Sequence, residues 1–402
     1  MTEATKTQWS KIQGMAVARA FSLLGSELTL FTLVFREKDL GPGSVAALFI
    51  VGTLPAILMA PLAGTLADRY STRALIPIFS IVGGASVFAQ TQHLPTWLIL
   101  TLLFISNSCA SVVAPTWGKL TRTLATSDDY SRASGVIQTY FSIAMLGGPF
   151  IAGVLVERTG FVVTFLIDGI FTTLIALMPF ILRVNFVPTD RQEGKKTKLT
   201  GGFTHIFKDK FLRSLTIMVF AMVLCISVVN VGDVFLLTEK LNANALIYGL
   251  VGGCFALGML IGSLIAGAVK ITAKQELAAL AVGLALLSLS GIAVGLAQNY
   301  WFVMGVWFLA GLGNACINTY GVGMMIRAIP MEVQGRAFAA FGGIISVAGI
   351  GSQGLAGIIL YTIDVRLLFV AAGIMACIAF VSLFPIVYQE QIKVIETSSH
   401  PA

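Results

Sequence analysis

The sequence predicts an all-α membrane protein of twelve spanning helices arranged as two related six-helix halves, and three observations lead there. Of 402 residues, 56% are hydrophobic and only 11% charged, with a mean hydropathy of +0.89, whereas soluble domains carry about 25% charged residues. The apolar residues gather into twelve runs, each near the roughly 20 residues a helix needs to cross a bilayer. The last six runs repeat the first six. Twelve crossings use about 240 to 300 residues and leave no room for a sizeable soluble domain. A water-soluble enzyme, a nucleic-acid binder and a secreted disulfide scaffold all fit these figures poorly.

The runs lie at 13–35, 44–67, 74–90, 95–117, 133–156 and 160–182, then at 212–238, 245–269, 276–297, 300–326, 335–360 and 365–388. A polar stretch at 184–211 separates the sixes, so the expected organisation is an N-terminal half (1–183), a linker (184–211), a C-terminal half (212–390) and a tail (391–402). Nearly every run is rich in glycine, which suits helices packed closely in lipid, and runs this long are unlike the ten-residue strands of a barrel. The first run is longer than a signal-peptide core and is followed by no small-residue cleavage pattern, so it reads as a retained helix.

The halves align at a fixed offset of 204: Trp97 with Trp301, Arg132 with Arg336, Gly147 with Gly351, Phe165 with Phe369, Gly169 with Gly373. From 132 to 170, ten of 39 positions are identical to their partners. Parallel repeats of this kind place a transport site at the repeat interface near mid-bilayer. The net charge of +7 is an orientation signal. With a cytoplasmic amino terminus, twenty Lys and Arg fall in inside segments and five in outside loops, so both termini are expected in the cytoplasm. Eight of the twenty lie in and beside the linker: Arg183, Arg191, Lys195, Lys196, Lys198, Lys208, Lys210 and Arg213. This argues for a cytoplasmic loop rather than a surface for nucleic acid.

No cofactor or metal is expected. The five cysteines (Cys109, Cys225, Cys254, Cys316, Cys377) sit in apolar segments without CxxC spacing and read as small buried residues. Gly194-Lys195-Lys196-Thr197 lacks the upstream glycine and the flanking strand and helix of a phosphate loop, which argues against an ATP-driven pump. Three histidines, none inside a run, leave no catalytic constellation.

Two motifs carry mechanism. The second run ends Gly64-Thr-Leu-Ala-Asp68-Arg69-Tyr-Ser-Thr-Arg73. This resembles the loop motif of the major facilitator superfamily, with Ser71 and Thr72 standing where a glycine and a basic residue are usual. The resemblance implies a cytoplasmic latch: Asp68 set against the positive end of the eleventh helix, braced by Arg69 and Arg73, which could instead meet lipid phosphates. The alternative is ordinary inside-positive residues with one exposed Asp. The fifth run holds Gly135, Ala144, Gly148-Pro149 and Ala152-Gly153. It is similar to the antiporter signature of exporters in that superfamily, with alanine for glycine at 144 and 152; generic close packing of a glycine-rich helix is the other reading. With Phe21 to Glu27 and Leu54 to Gly64, these residues resemble the macrolide-efflux and siderophore-exporter branch. That resemblance implies a proton antiporter of the inner membrane, monomeric, moving an amphipathic small molecule by alternating access among membrane lipids. The fourth run, Trp97 to Trp117, lacks the arginine that many proton-coupled exporters carry there, which leaves open an uncoupled facilitator or a lipid or lysolipid flippase.

Ionisable residues inside spans are costly and are by default site candidates. Glu27 lies near the middle of the first run and could exchange protons or hold a substrate cation; packing by hydrogen bonds is the alternative. Arg19 could be a counter-ion or snorkel to headgroups. Asp233, near the outer end of the seventh run, and Asp168, in a helix that is usually peripheral in the resembling fold, complete the set. Asn107, Asn230, Asn314 and Asn318 are polar candidates for a cavity wall, or glue between helices.

Overall fold

In a computed structural model, residues 6–126, 129–186, 200–269 and 271–399 are described, and the regular elements among them are all helices. Arg191, Lys195, Lys196 and Lys198 of the linker lie outside the described residues. Eleven helical segments are long and apolar enough to span a bilayer, and a bent pair supplies the twelfth. That pair is the second run: α2 (Pro42–Leu58) stops, and α3 (Ala60–Arg69) resumes at a bend of 50°. The prolines account for it. Pro61, in the first turn of α3, has no N–H to give to the preceding turn. The run 44–67, expected as one helix, is therefore two.

The chain forms two compact units, Met1–Gly194 with Asn244–Gly253, and Lys195–Ala243 with Cys254–Ala402. In the first, α1 (Trp9–Glu37) packs along α6 (Tyr130–Thr159) and α7 (Phe161–Leu174), while α4 (Thr72–Ala89) packs on α7 and on α5 (Thr96–Leu124). Ile12, Met15, Ile76, Trp117, Leu120 and Ala133 form one apolar cluster in this unit. Small residues set the approach of the helices. A Cβ on Gly25 would lie 2.5 Å from Asp168 Oδ1 and 2.8 Å from its Cα, so only glycine allows α1 and α7 to touch there. Gly160, at φ +77°, makes the turn from α6 to α7 in a conformation that L side chains rarely adopt. The sixth run then loosens into a 3₁₀ turn and a short α8 (Met178–Ile181) with Pro179 in its first turn.

The second unit contains α9 (Thr200–Lys208), α10 (Lys210–Ile226), α11 (Val228–Phe235), the later part of α12 (Ala245–Ala268), α13 (Ala273–Gly295), α14 (Tyr300–Cys316), α15 (Val322–Ala328), α16 (Met331–Ile359) and α17 (Val365–Ser399). Side chains mark the starts: Asp209 accepts from Leu212 N at 2.8 Å, Asn299 from Phe302 N at 2.8 Å, and Thr272 with Gln275 forms a capping box. Two spans here contain π turns, Leu236–Lys240 after α11 and Ile317–Gly321 between α14 and α15.

The repeat shows in burial. Ala133 and Ala337, Ala152 and Ala356, and Phe165 and Phe369 are each buried within their own unit. A parallel also appears that the fixed offset does not reveal. Asp68 pairs with Lys119 in the first unit and Glu276 with Arg327 in the second, each joining residues 51 apart.

Candidate substrate cavity

The first unit contains a half-open cavity of about 440 Å³ lined by α1, α2, α4, α5, α6 and α7, within the size range of small-molecule sites. Its lining is mainly apolar, with Leu48, Phe49, Phe79 and Val113 among the walls. Helix α1 supplies the polar stripe. Arg19, Ser22, Ser26 and Glu27 all line the cavity, and their spacing of three, seven and eight residues keeps them on one helical face.

Glu27 is the carboxylate available in this cavity. Its side chain makes no hydrogen bond and no ion pair among the described residues, and its stem packs on α6, where a Cβ on Gly148 would come within 2.5 Å of Glu27 Cβ. Arg19, eight residues away, stands about 12 Å along the helix axis, too far for the two charges to pair. Its guanidinium instead lies 6.0 Å from the ring centroid of Trp117 on α5. Between Trp97 and Trp117 α5 has no arginine of its own, and the guanidinium beside that stretch comes from α1. Asp168 also lines the cavity but is occupied: Thr29 donates to Oδ2 at 2.6 Å and Thr172 to Oδ1 at 3.0 Å. Of the two acids that line this cavity, Asp168 is thus held by hydroxyls and Glu27 has no partner among the described residues.

The structure brings Arg19, Glu27, Asp168 and Asn107 to one cavity. Asn107 donates to the Leu103 carbonyl at 2.9 Å. The other candidates belong to the second unit. Asp233 on α11 and the indole N–H of Trp307 are buried facing each other, the indole being the donor that acts on the carboxylate, although the pair falls short of full hydrogen-bond geometry. Asn230 is exposed one turn earlier. Asn318, within the π turn, donates to Asn314 Oδ1 at 2.6 Å and to its carbonyl at 2.9 Å, so this amide pair bonds to itself along one face.

The motif residues are placed as follows. Gly64 has open space where a side chain would go. Asp68 is paired with Lys119, while Arg73 gives its Nε to the Val184 carbonyl at 3.3 Å. In the fifth span, a Cβ on Gly153 would meet Ala245 O at 2.7 Å and Gly249 Cα at 3.2 Å, at the start of α12, and Pro149 packs against Gly252. Ala144 is buried, but Gly135 has nothing within 4 Å of where its Cβ would be. Close packing therefore belongs to the 148–153 end of that signature. Sequence reasoning missed Trp117, Lys119, Thr29, Thr172 and Trp307. Their types are ordinary in a membrane helix, and their partners lie 51 or more residues away in most cases.

A profile of the Major Facilitator Superfamily matches residues 15–238 and 233–400. The chain belongs to the major facilitator superfamily. It is accordingly a multi-pass membrane transporter and not an enzyme. Among curated relatives, this transporter is 22% identical over 371 residues to the uncharacterized MFS-type transporter YfiS of Bacillus subtilis, covering 86% of this chain and 85% of that one. It is also 22% identical over 323 residues to macrolide efflux protein A of Enterococcus faecalis, covering 77% of this chain and 98% of that one. The fold is shared with a bacterial homologue of the human lysosomal transporter Spinster, crystallised inward-facing and unoccupied, at a TM-score of 0.72 and 14% identity over 97% of this chain and 99% of that one.

Proposed function

We propose that the transporter exports cationic amphipathic molecules across the inner membrane in exchange for protons, by alternating access, with Glu27 binding the two in turn. The observation that carries this is the Glu27 carboxylate, without a partner among the described residues, in a largely apolar cavity. A charge in such surroundings is costly unless something pairs with it. A substrate cation or a proton relieves that cost, and the two compete for one site. The macrolide efflux relative supports the direction and the amphipathic class of cargo. Exchange of one monovalent cation for one proton on one carboxylate moves no net charge, so it should respond to a pH gradient and not to membrane potential.

Everted vesicles test this. With one proton exchanged per substrate cation, a gradient of about one pH unit supports about tenfold accumulation. Wild type should accumulate a fluorescent cationic substrate to about that extent, and Glu27→Gln should only equilibrate it. Equal accumulation by both would remove Glu27 from coupling. The absence of an arginine between Trp97 and Trp117 of α5 favours a second reading, an uncoupled facilitator or a lipid or lysolipid flippase; transport unaffected by collapsing the proton gradient would select it.

A further inference from the structure

A second cavity, of about 170 Å³, lies in the second unit between the start of α10 and the end of α17. Lys210, Arg213, Ser214 and Ile217 line it from α10, and Leu383, Ile386 and Glu390 from α17. The α10 residues fall at i, i+3, i+4 and i+7, and those of α17 at i, i+3 and i+7, so each helix turns a single face to the groove. The two faces are graded in the same way. Cations and Glu390 stand at the end nearest the polar linker, while Ile217 and Ile386 lie deeper, 45% and 49% exposed in spans that otherwise face lipid.

The charges at the polar end do not cancel. Glu390 is already bonded by Lys393, whose Nζ is 2.7 Å away, and Asp209 is engaged as the cap of α10. The side chains of Lys210 and Arg213 make no hydrogen bond or ion pair among the described residues, although both lie near enough to act on Glu390 through space. Ser214 spends its hydroxyl proton on the Phe211 carbonyl. The groove thus offers two free cations at its mouth, a net positive charge, and an apolar channel open to the bilayer behind them.

We infer that this groove is a binding site for one anionic phospholipid, with its phosphate on Lys210 and Arg213 and an acyl chain along Ile217, Leu383 and Ile386. A zwitterionic lipid gains less, because its own ammonium meets the same two cations. A basic pocket between spanning helices at the level of the headgroups is the expected form of such a site. Its position at the junction of linker and seventh span ties that helix end to the membrane surface. The site is separate from the Glu27 cavity, so neither proposal depends on the other.

The test is native mass spectrometry of the full chain released from nanodiscs of equal phosphatidylglycerol and phosphatidylcholine. Wild type should retain phosphatidylglycerol in excess. Lys210→Gln with Arg213→Gln should reduce that excess by about fivefold per charge removed, while Lys274→Gln, an exposed cation at the start of α13, should leave it unchanged. Glu390→Gln keeps both cations and removes the competing carboxylate, so retention should rise. Equal phosphatidylglycerol excess in wild type and the double variant, equal loss in Lys274→Gln, or a fall in Glu390→Gln would overturn the assignment.

Discussion

At the scale of single residues, the two acids of the first cavity differ in what already bonds to them. Asp168 accepts from Thr29 and Thr172, so it acts as a structural tie between α1 and α7. Asp168→Ala removes both acceptors and leaves two hydroxyls unpaired at about 1–3 kcal/mol each. The variant should melt several degrees lower in detergent, and molecules that stay folded should still exchange substrate for protons. Lost exchange at an unchanged melting temperature would move Asp168 into the transport step. Glu27 has the opposite profile, and Glu27→Gln should abolish coupling with little change in melting. The sequence made both residues candidates, since each is an ionisable group within an apolar run. Depth in the span placed Glu27 first and the resemblance placed Asp168 last, from its peripheral helix, but the bond that occupies Asp168 was not legible, because Thr29 lies 139 residues away in the chain.

At the scale of elements, glycine spacing was legible in the sequence, but which glycines have a neighbour was not. Gly135 and Gly148 belong to one signature, yet a side chain at 135 meets nothing, whereas one at 148 meets the stem of Glu27. Gly148→Val should therefore destabilise by about 1–3 kcal/mol through overpacking, and Gly135→Val should be close to neutral. Thermal unfolding of the two purified variants separates these outcomes; helix propensity slightly favours valine over glycine at both positions, so equal losses would show that the contact with Glu27 does not decide the effect. The bend in the second span is a similar case. Pro55 and Pro61 were plain in the sequence, but whether the helix kinks or restarts depends on the donors that its neighbours leave unpaired. The π turns at 236–240 and 317–321 have no comparable signal.

At the scale of the whole molecule, the distribution of basic residues predicts that both termini face the cytoplasm. A protease-cleavable tag on either terminus should be cut in everted vesicles and protected in right-side-out ones; cleavage of the two tags from opposite faces would refute the even span count. The loop before α17 offers a check on charge outside the membrane. Lys240, bonded to Asp364 at 2.6 Å, and the Arg366 backbone N–H hold the Asp364 carboxyl below the usual carboxylate range. A depressed acid contributes stability above its ordinary pKa, and that contribution is lost only as pH falls through the lower folded value. The pair is about two-fifths exposed, so the effect is small and screened. Asp364→Asn should lower the melting temperature slightly at neutral pH, with the difference vanishing in strong acid and in high salt.

The sequence alone determined that this chain crosses the membrane about twelve times, that its halves are related, and that very few ionisable groups lie within the spans. Each follows from the bilayer as solvent, which excludes charge, demands long apolar helices and leaves its mark on composition and period. Only the tertiary structure decided how the acidic groups are satisfied: Asp168 by two threonines, Asp68 by Lys119, and Glu27 by no group among the described residues. Hydrogen bonds and ion pairs form over about 3 Å of space, and in this fold the partners come from different helices whose separation along the chain carries no periodic trace.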